Sequence, residues 1–397
     1  MNDPAADSRP LLLYLVTEDW AFMSHRLPVA RGAEEAGMRV GVMTRVGRHG
    51  GDIQALGYDL YPLQWVRRSL NPLRILRDLT QIIALYRRLR PRIAQHVALK
   101  AVLIGGLAAR FADIPAQIAA INGVGFVFTD PGLKARLMRL AFVPMLRFVL
   151  RREHVMAWFQ NADDRDLFIR LGIVVPEQTV ILRGAGVDTD ILQPAPEAAG
   201  PITCAYAGRM LRSKGVDALV EAVRRCRAEG MDLRLLLAGS ADDNPTSFSQ
   251  QQLEAWNRME GIEHLGHISD IGDLWRRAHI AVLPCRVREG MPKTLLDAAA
   301  CGRPIVASDL EGVREVARHG HNAILVPPGD TNALAAALAA LTKDAARRQN
   351  MGRESRAMVM GEMSAAAIQA GAAAIYRRII ASSRSAPDSL RRRGPAS

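Results

Sequence analysis

Two carboxylates, Glu289 and Asp297, sit in the run Val282-Leu283-Pro284-Cys285-Arg286-Val287-Arg288-Glu289-Gly290-Met291-Pro292-Lys293-Thr294-Leu295-Leu296-Asp297. A carboxylate accepts hydrogen bonds from hydroxyl groups, so two of them facing one pocket suit a ligand rich in hydroxyls. Upstream, Gly208-Arg209 and Lys214-Gly215 place two cations where a strand gives way to a helix. Cations beside the positive end of a helix are placed to hold a diphosphate. Their attraction would grow as charge builds on a departing diphosphate, which makes them candidates for stabilising a transition state as well as a complex. Read alone, both are also the ordinary basic residues of a loop.

The elements that must carry these groups alternate between strand and helix. Residues 11–17 read as a buried strand, 26–36 as a helix stopped by Gly37, and 40–44 as a second strand. The alternation continues with strand 93–96, helix 101–111 and strand 116–121. A second cycle opens after the Pro-rich segment 193–201, with strand 202–207, helix 216–229 and strand 233–238. Strand 279–284, helix 293–301 and strands 305–307 and 323–326 follow, with Pro292 opening the helix and Gly302 stopping it. The expected fold class is α/β, with two Rossmann-like doubly wound domains in series. The expected divisions are an N-terminal acceptor-side domain over 1–192 and a donor-side domain over 193–363. A helix over 364–382 is expected to return to the first domain, and 383–397 form a disordered tail. Ligands bind outside the carboxyl ends of such strands, so two facing sheets make one cleft that suits the joining of two substrates.

The segment 288–304 resembles the signature of the family-four retaining glycosyltransferases, in which a Glu, seven residues and a second Glu precede a small-residue run and Gly-Arg/Lys-Pro. Its surroundings agree with that resemblance. Gly184-Ala185-Gly186-Val187-Asp188 is similar to the family's hinge element, and Gly208-Arg209 with Lys214-Gly215 to its phosphate-binding pair. Residues 308–315 and 322–330 look like the elements that follow the signature, so the likeness runs in order through most of the second half. It implies the GT-B architecture, with both domains facing the cleft. It further implies a retaining transfer from a nucleotide-diphosphate sugar, with a UDP-sugar favoured over a GDP-sugar. Glu289 would hold donor-sugar hydroxyls, Arg209 and Lys214 the diphosphate, and the Gly290, Met291 and Pro292 backbone the sugar and phosphate. Asp297 stands where the family has its second Glu, and loss of a methylene withdraws the carboxylate from the ribose by about 1.5 Å.

On the acceptor side, residues 16–28 and 122–129 resemble segments of bacterial members that build exopolysaccharide, capsule or lipid-linked glycans. The candidate acceptor residues are Glu18, Asp19, Ser24, His25, Arg26, Asn122 and Gly123. His25 is also a candidate catalytic base, since an unperturbed imidazole titrates near neutrality, although a histidine closing a helical turn is an equal reading. Many family members carry a histidine where this chain has Asn122, and Asn orients a hydroxyl without taking its proton.

The composition agrees with these expectations without naming them. At 397 residues the chain exceeds what one core supports, and 49% hydrophobic with 23% charged residues is ordinary for a globular protein. A net charge of +12 calls for a negatively charged partner. Arginines crowd residues 67–92 and 133–152 between apolar residues, a pattern suited to a lipid interface, with hydrated surface helices as the plainer reading. The expected partners are therefore a nucleotide-diphosphate sugar, a polyprenyl-diphosphate-linked glycan and an anionic membrane surface, met peripherally on the cytoplasmic face of the cell membrane. Four separated cysteines, with no Cys-x-x-Cys pair, agree with an expectation of no metal and no cofactor. Two other functions share some of these features. A nucleotide-sugar epimerase would have the same twin domains, and a basic nucleic-acid-binding protein would have the charge. The second fits poorly with 5% aromatic residues and no recognisable nucleic-acid motif.

Overall fold

A computed structural model describes residues 8–65, 71–129, 132–242 and 244–384. Arg67 and Arg68 of the first basic run, and most of the tail, lie outside the described residues. The first sheet holds β1 Leu11–Glu18, β2 Arg39–Arg45, β3 Asp59–Pro62, β4 Ile93–Val97, β5 Ala116–Ile121, β6 Val155–Phe159 and β7 Thr179–Ile181. All its pairs are parallel, in the order β3-β2-β1-β4-β5-β6-β7. The second holds β8 Ile202–Ala207, β9 Leu233–Ala238, β10 Ile262–Gly266, β11 Ile280–Leu283, β12 Ile305–Ser308 and β13 Ala323–Val326. Its order, β10-β9-β8-β11-β12-β13, repeats the same doubly wound plan. In each sheet the order reverses beside the first strand, between β1 and β4 and between β8 and β11, and ligands bind at such switch points.

β1 shows why these runs become central strands. Leu12, Tyr14 and Val16 pack on one face with the helix Leu27–Glu35, while Leu11, Leu13 and Leu15 pack on the other with the helices Pro72–Leu89 and Leu99–Phe111. A strand buried on both faces reads as an unbroken apolar run. The helix Ala365–Arg384 follows the second sheet in sequence yet packs against the helix Leu27–Glu35. Gly32 makes the approach possible, since a Cβ there would lie 2.5 Å from the Gln369 carbonyl oxygen. The Tyr376 hydroxyl lies 3.0 Å from that of Tyr14 and donates to Gln95 Oε1 at 2.5 Å.

The segment after β1 departs from expectation. It forms a helix over Asp19–His25, breaks at Arg26 and starts again as Leu27–Glu35, instead of one helix from residue 26 to 36. Pro28 lacks an amide hydrogen and suits a first helical turn, so it marks a new start.

His96, on β4, is 1% exposed, and its Nε2 lies 2.9 Å from the Tyr86 hydroxyl. Burial pushes its pKa down to about 3. The unfolded ring binds a proton below its ordinary value of 6.5 while the folded ring stays neutral. Stability is therefore held above that value and lost as pH falls from 6.5 towards 3, by about 1.4 kcal/mol per pH unit for one such group. The urea midpoint should drop between pH 7.5 and pH 5.5, and by less in His96→Gln, whose side chain does not titrate. An equal drop in both proteins would assign the acid sensitivity elsewhere.

Candidate active site

The loop leaving β8 carries Gly208 and Arg209, and the turn Arg212–Lys214 ends at Gly215 with φ 70°. A Cβ on Gly215 would lie 2.0 Å from the Pro284 carbonyl oxygen, so only glycine lets this turn lie against the loop leaving β11. That contact brings Lys214 Nζ to 2.7 Å from Glu289 Oε1, with the two side chains 17% and 21% exposed. Burial acts most strongly on the Lys214 ammonium and pulls its pKa down. Glu289 and Cys285 more than offset it, so the pKa is raised and Lys214 stays charged. Arg209 reaches Asp242 at 3.4 Å and remains half exposed. The expected cation pair and Glu289 are thus together, with Lys214 already paired to the carboxylate.

The loop holding Glu289 is clamped between the two sheets. A Cβ on Gly290 would lie 1.9 Å from the Asn122 carbonyl oxygen, and one on Gly312 would lie 2.0 Å from the Gly290 carbonyl oxygen. Arg288 crosses from this loop to Asp164 at 2.8 Å and also meets Glu311 at 3.2 Å. Asp164 is 1% exposed, and burial raises its pKa even though Arg288 draws it back. Arg288→Met would strand that carboxylate, leaving it the hydrogen bond donated by Asn161 Nδ2. The expected cost is about 2 kcal/mol of stability, read from urea unfolding. Asp164→Asn in the same background should recover part of it.

Two donor-side expectations need correction. Pro292 has no N–H, and the Met291 N–H donates to Gln160 Oε1 at 3.3 Å, so these two residues do not present open amides to a ligand. Asp297 is buried and salt-bridged to Lys293 at 2.6 Å, one helical turn away. Burial raises its pKa while Lys293 opposes the rise. Asp297 therefore does not share an open pocket with Glu289, and contact with a ribose requires Lys293 to release it.

Between the carboxyl ends of the two sheets lies a cleft of about 790 Å³. Glu18, Trp20, Arg45 and Arg48 line it from the first sheet, and Gly208, Arg209, Asp242 and His267 from the second. Of the acceptor candidates, Glu18 lines this cleft. Asp19 is a correction: it is 2% exposed, and its carboxylate accepts from the backbone N–H groups of Trp20, Gly47 and His49. It holds the loop that carries Arg48 and cannot serve an acceptor. Arg26 is also buried and donates to the Asn122 side chain, which ties two acceptor candidates to each other. Ser24 is exposed, with its hydroxyl 2.5 Å from His25 Nδ1. Burial, then Arg26 and Lys293, push the His25 pKa down to about 3. That shift weakens the ring as a base, and the Ser24 hydroxyl is its hydrogen-bond partner.

Sequence reasoning passed over Gln160, Asp164, Asp242, Arg45 and Arg48. The available signal was Asn161, whose side chain caps the helix Ala162–Arg170 and marks the strand end just before it. Among the described residues no cluster of three or more His, Cys, Asp or Glu is arranged to hold a metal.

Comparison with known proteins agrees with this arrangement. Residues 12–161 match the family described as glycosyl transferase 4-like, and residues 201–344 match glycosyl transferases group 1. The chain is 25% identical over 354 residues to the N,N'-diacetylbacillosaminyl-diphospho-undecaprenol alpha-1,3-N-acetylgalactosaminyltransferase of Campylobacter jejuni, covering 84% of this chain and 91% of that one. It is 20% identical over 307 residues to the capsular polysaccharide biosynthesis glycosyltransferase CapM of Staphylococcus aureus, covering 75% and 80%. HepE of Anabaena, solved in complex with UDP and glucose, superposes with a TM-score of 0.74 at 17% identity, over 95% of this chain and 100% of that one. With matched segments in both halves, relatives along most of its length and two doubly wound sheets facing a cleft, the chain belongs to the family-four glycosyltransferases of GT-B fold.

Proposed function

We propose that the protein transfers a sugar, with retention, from a nucleotide-diphosphate sugar to a polyprenyl-diphosphate-linked glycan in bacterial surface polysaccharide or glycoconjugate synthesis. The observation that carries the donor half is the Lys214–Glu289 pair at 2.7 Å, with Arg209 near enough to act on the Lys214 charge. An arriving diphosphate draws Lys214 and Arg209, and the freed Glu289 accepts hydrogen bonds from sugar hydroxyls. Glu289 is not the nucleophile. The bond between the anomeric carbon and the diphosphate oxygen breaks, and the acceptor oxygen bonds to that carbon on the same face. The acceptor proton passes to the departing diphosphate. Charge grows on the leaving group as the two cations hold it, so their contribution is greatest in the transition state. The reaction needs no metal in this scheme, because the cations take the leaving-group charge.

The lipid-linked acceptor is supported by the name of the Campylobacter relative, an undecaprenol-diphosphate glycan transferase. It is also supported by the helix Leu133–Leu150, on which Leu133, Leu137, Leu140 and Phe148 are all exposed. Exposed Lys134 and Arg136 flank this stripe, which suits a helix lying in an anionic interface on the membrane's inner face. No described helix is long and apolar enough to cross a membrane.

The test is a panel of UDP- and GDP-sugars, supplied with membrane extract containing polyprenyl-diphosphate glycans, with products identified by mass spectrometry and their anomeric configuration by NMR. A glycosylated lipid product with the donor's configuration, formed equally in EDTA, is expected. Inversion or an epimerised free nucleotide sugar would overturn the reading. Flotation with anionic liposomes at low salt should carry the protein upwards.

A further inference from the structure

At the opposite pole of the first sheet, where β1, β2, β4 and β5 begin, lies a second cavity of about 780 Å³, close to the cleft in size. Among the described residues its wall carries Arg9, Arg39, Arg87, Arg90 and Arg92 together with Asp113. Arg39 is tied to Asp59 at 3.0 Å with its side chain 15% exposed, and its Nε is buried without a hydrogen-bond partner. One Arg87 amino group donates to the Phe111 carbonyl at 3.0 Å. Arg90 closes the helix Pro72–Leu89 with φ 45° and ψ 55°. That left-handed conformation suits glycine and is unfavourable for a long side chain, so the chain keeps an arginine here against its backbone preference.

Like charges collected around one concavity repel each other and raise the local potential, and a bound anion relieves both effects. Guanidinium groups bind phosphate oxygens through paired N–H donors, which makes an arginine-lined cavity selective for phosphate over a simple monovalent anion. We propose that this cavity is a second binding site, distinct from the donor cleft, for a ligand carrying two or more phosphate groups. The same chemistry is found in a soluble polyphosphate and in the headgroup of cardiolipin, which carries two phosphates. Exposed Phe111 at its rim, beside Arg110 stacked 4.6 Å over Phe148, connects the cavity to the apolar stripe of the helix Leu133–Leu150.

Inorganic triphosphate serves as the soluble probe, titrated calorimetrically into the full chain. To silence the cleft, the titration is run in a background carrying Arg209→Gln and Lys214→Met, where one binding event should survive. Adding Arg87→Gln and Arg90→Gly should weaken that event by about tenfold or more, through loss of two charge-assisted contacts. Glycine relieves the left-handed backbone at 90, so the melting temperature should hold or rise while binding falls, a combination that a structural role for Arg90 would not produce. Asp113→Asn removes a negative charge from the wall and should tighten binding severalfold. Sedimentation with cardiolipin vesicles, compared with phosphatidylcholine, separates the sources. Weakening confined to triphosphate assigns a soluble ligand, and parallel weakening on cardiolipin assigns a headgroup. Loss of all binding in the cleft background, or unchanged binding of both probes after the arginine changes, would overturn the proposal.

Discussion

Lys214→Met is expected to lower kcat/KM by about a thousandfold, a loss of about 4 kcal/mol of transition-state stabilisation. The expectation follows from where the ammonium sits. It is mostly buried, stays charged because Glu289 is 2.7 Å away, and in the proposed reaction holds the leaving diphosphate as charge gathers on it. Little water competes for it there, so its field is only weakly screened. The companion Glu289→Gln separates binding from chemistry. It should reduce kcat by at least about a hundredfold, since the sugar loses a charged hydrogen-bond acceptor. Affinity for the free nucleoside diphosphate should hold or tighten, because Lys214 no longer has to leave a carboxylate. Weaker diphosphate binding in Glu289→Gln would refute the exchange of partners, and near-normal turnover in Lys214→Met would remove Lys214 from the machinery.

Gly290→Ala should reduce kcat by about a hundredfold with little change in melting temperature. A methyl group at 290 would lie 1.9 Å from the Asn122 carbonyl oxygen and 3.2 Å from Gln160 Oε1. The loop cannot retreat the other way, since Gly312 is packed against the Gly290 and Glu289 carbonyl oxygens at its back. Relief requires the two sheets to part or Glu289 to shift by about 1 Å, and a displacement of that size costs about a hundredfold in rate. The atoms that the methyl group would meet belong to Asn122 and Gln160 and not to apolar core side chains, so folding should survive. Gly51→Ala, where nothing lies within 4 Å, is the matched control and should leave turnover unchanged. Unaltered kcat in Gly290→Ala would show that the loop is not held by the first sheet.

Much of the scaffold was legible because central parallel strands are buried on both faces and leave an unbroken apolar run. β5, β8, β9 and β13 have the bounds that the pattern implies, and β1 extends one residue further. β3, β6, β7 and β10 were passed over. β7 is three half-buried residues at a sheet edge, and β3 and β10 are also edge strands with mixed burial. An edge strand covered on fewer sides needs no continuous apolar run, so it leaves a weaker mark. β6 is interior but short, and it follows a helix rich in the same apolar residues.

The same division runs through the site. Residue types and spacing made Arg209, Lys214 and Glu289 candidates, and the family resemblance supplied their expected roles, because charge and glycine-bounded turns are local properties. What joins Lys214 to Glu289 is not local: it depends on β8 and β11 lying side by side where the strand order reverses. Helix geometry turned Asp19 inward to three backbone N–H groups and left its neighbour Glu18 on the cleft. Packing likewise lowered the basicity of His25 and gave the Asp297 carboxylate to Lys293. A sequence sets which groups are available and how the backbone punctuates them. Burial, and contacts between residues far apart along the chain, decide which of those groups remain open to a ligand and in which protonation state.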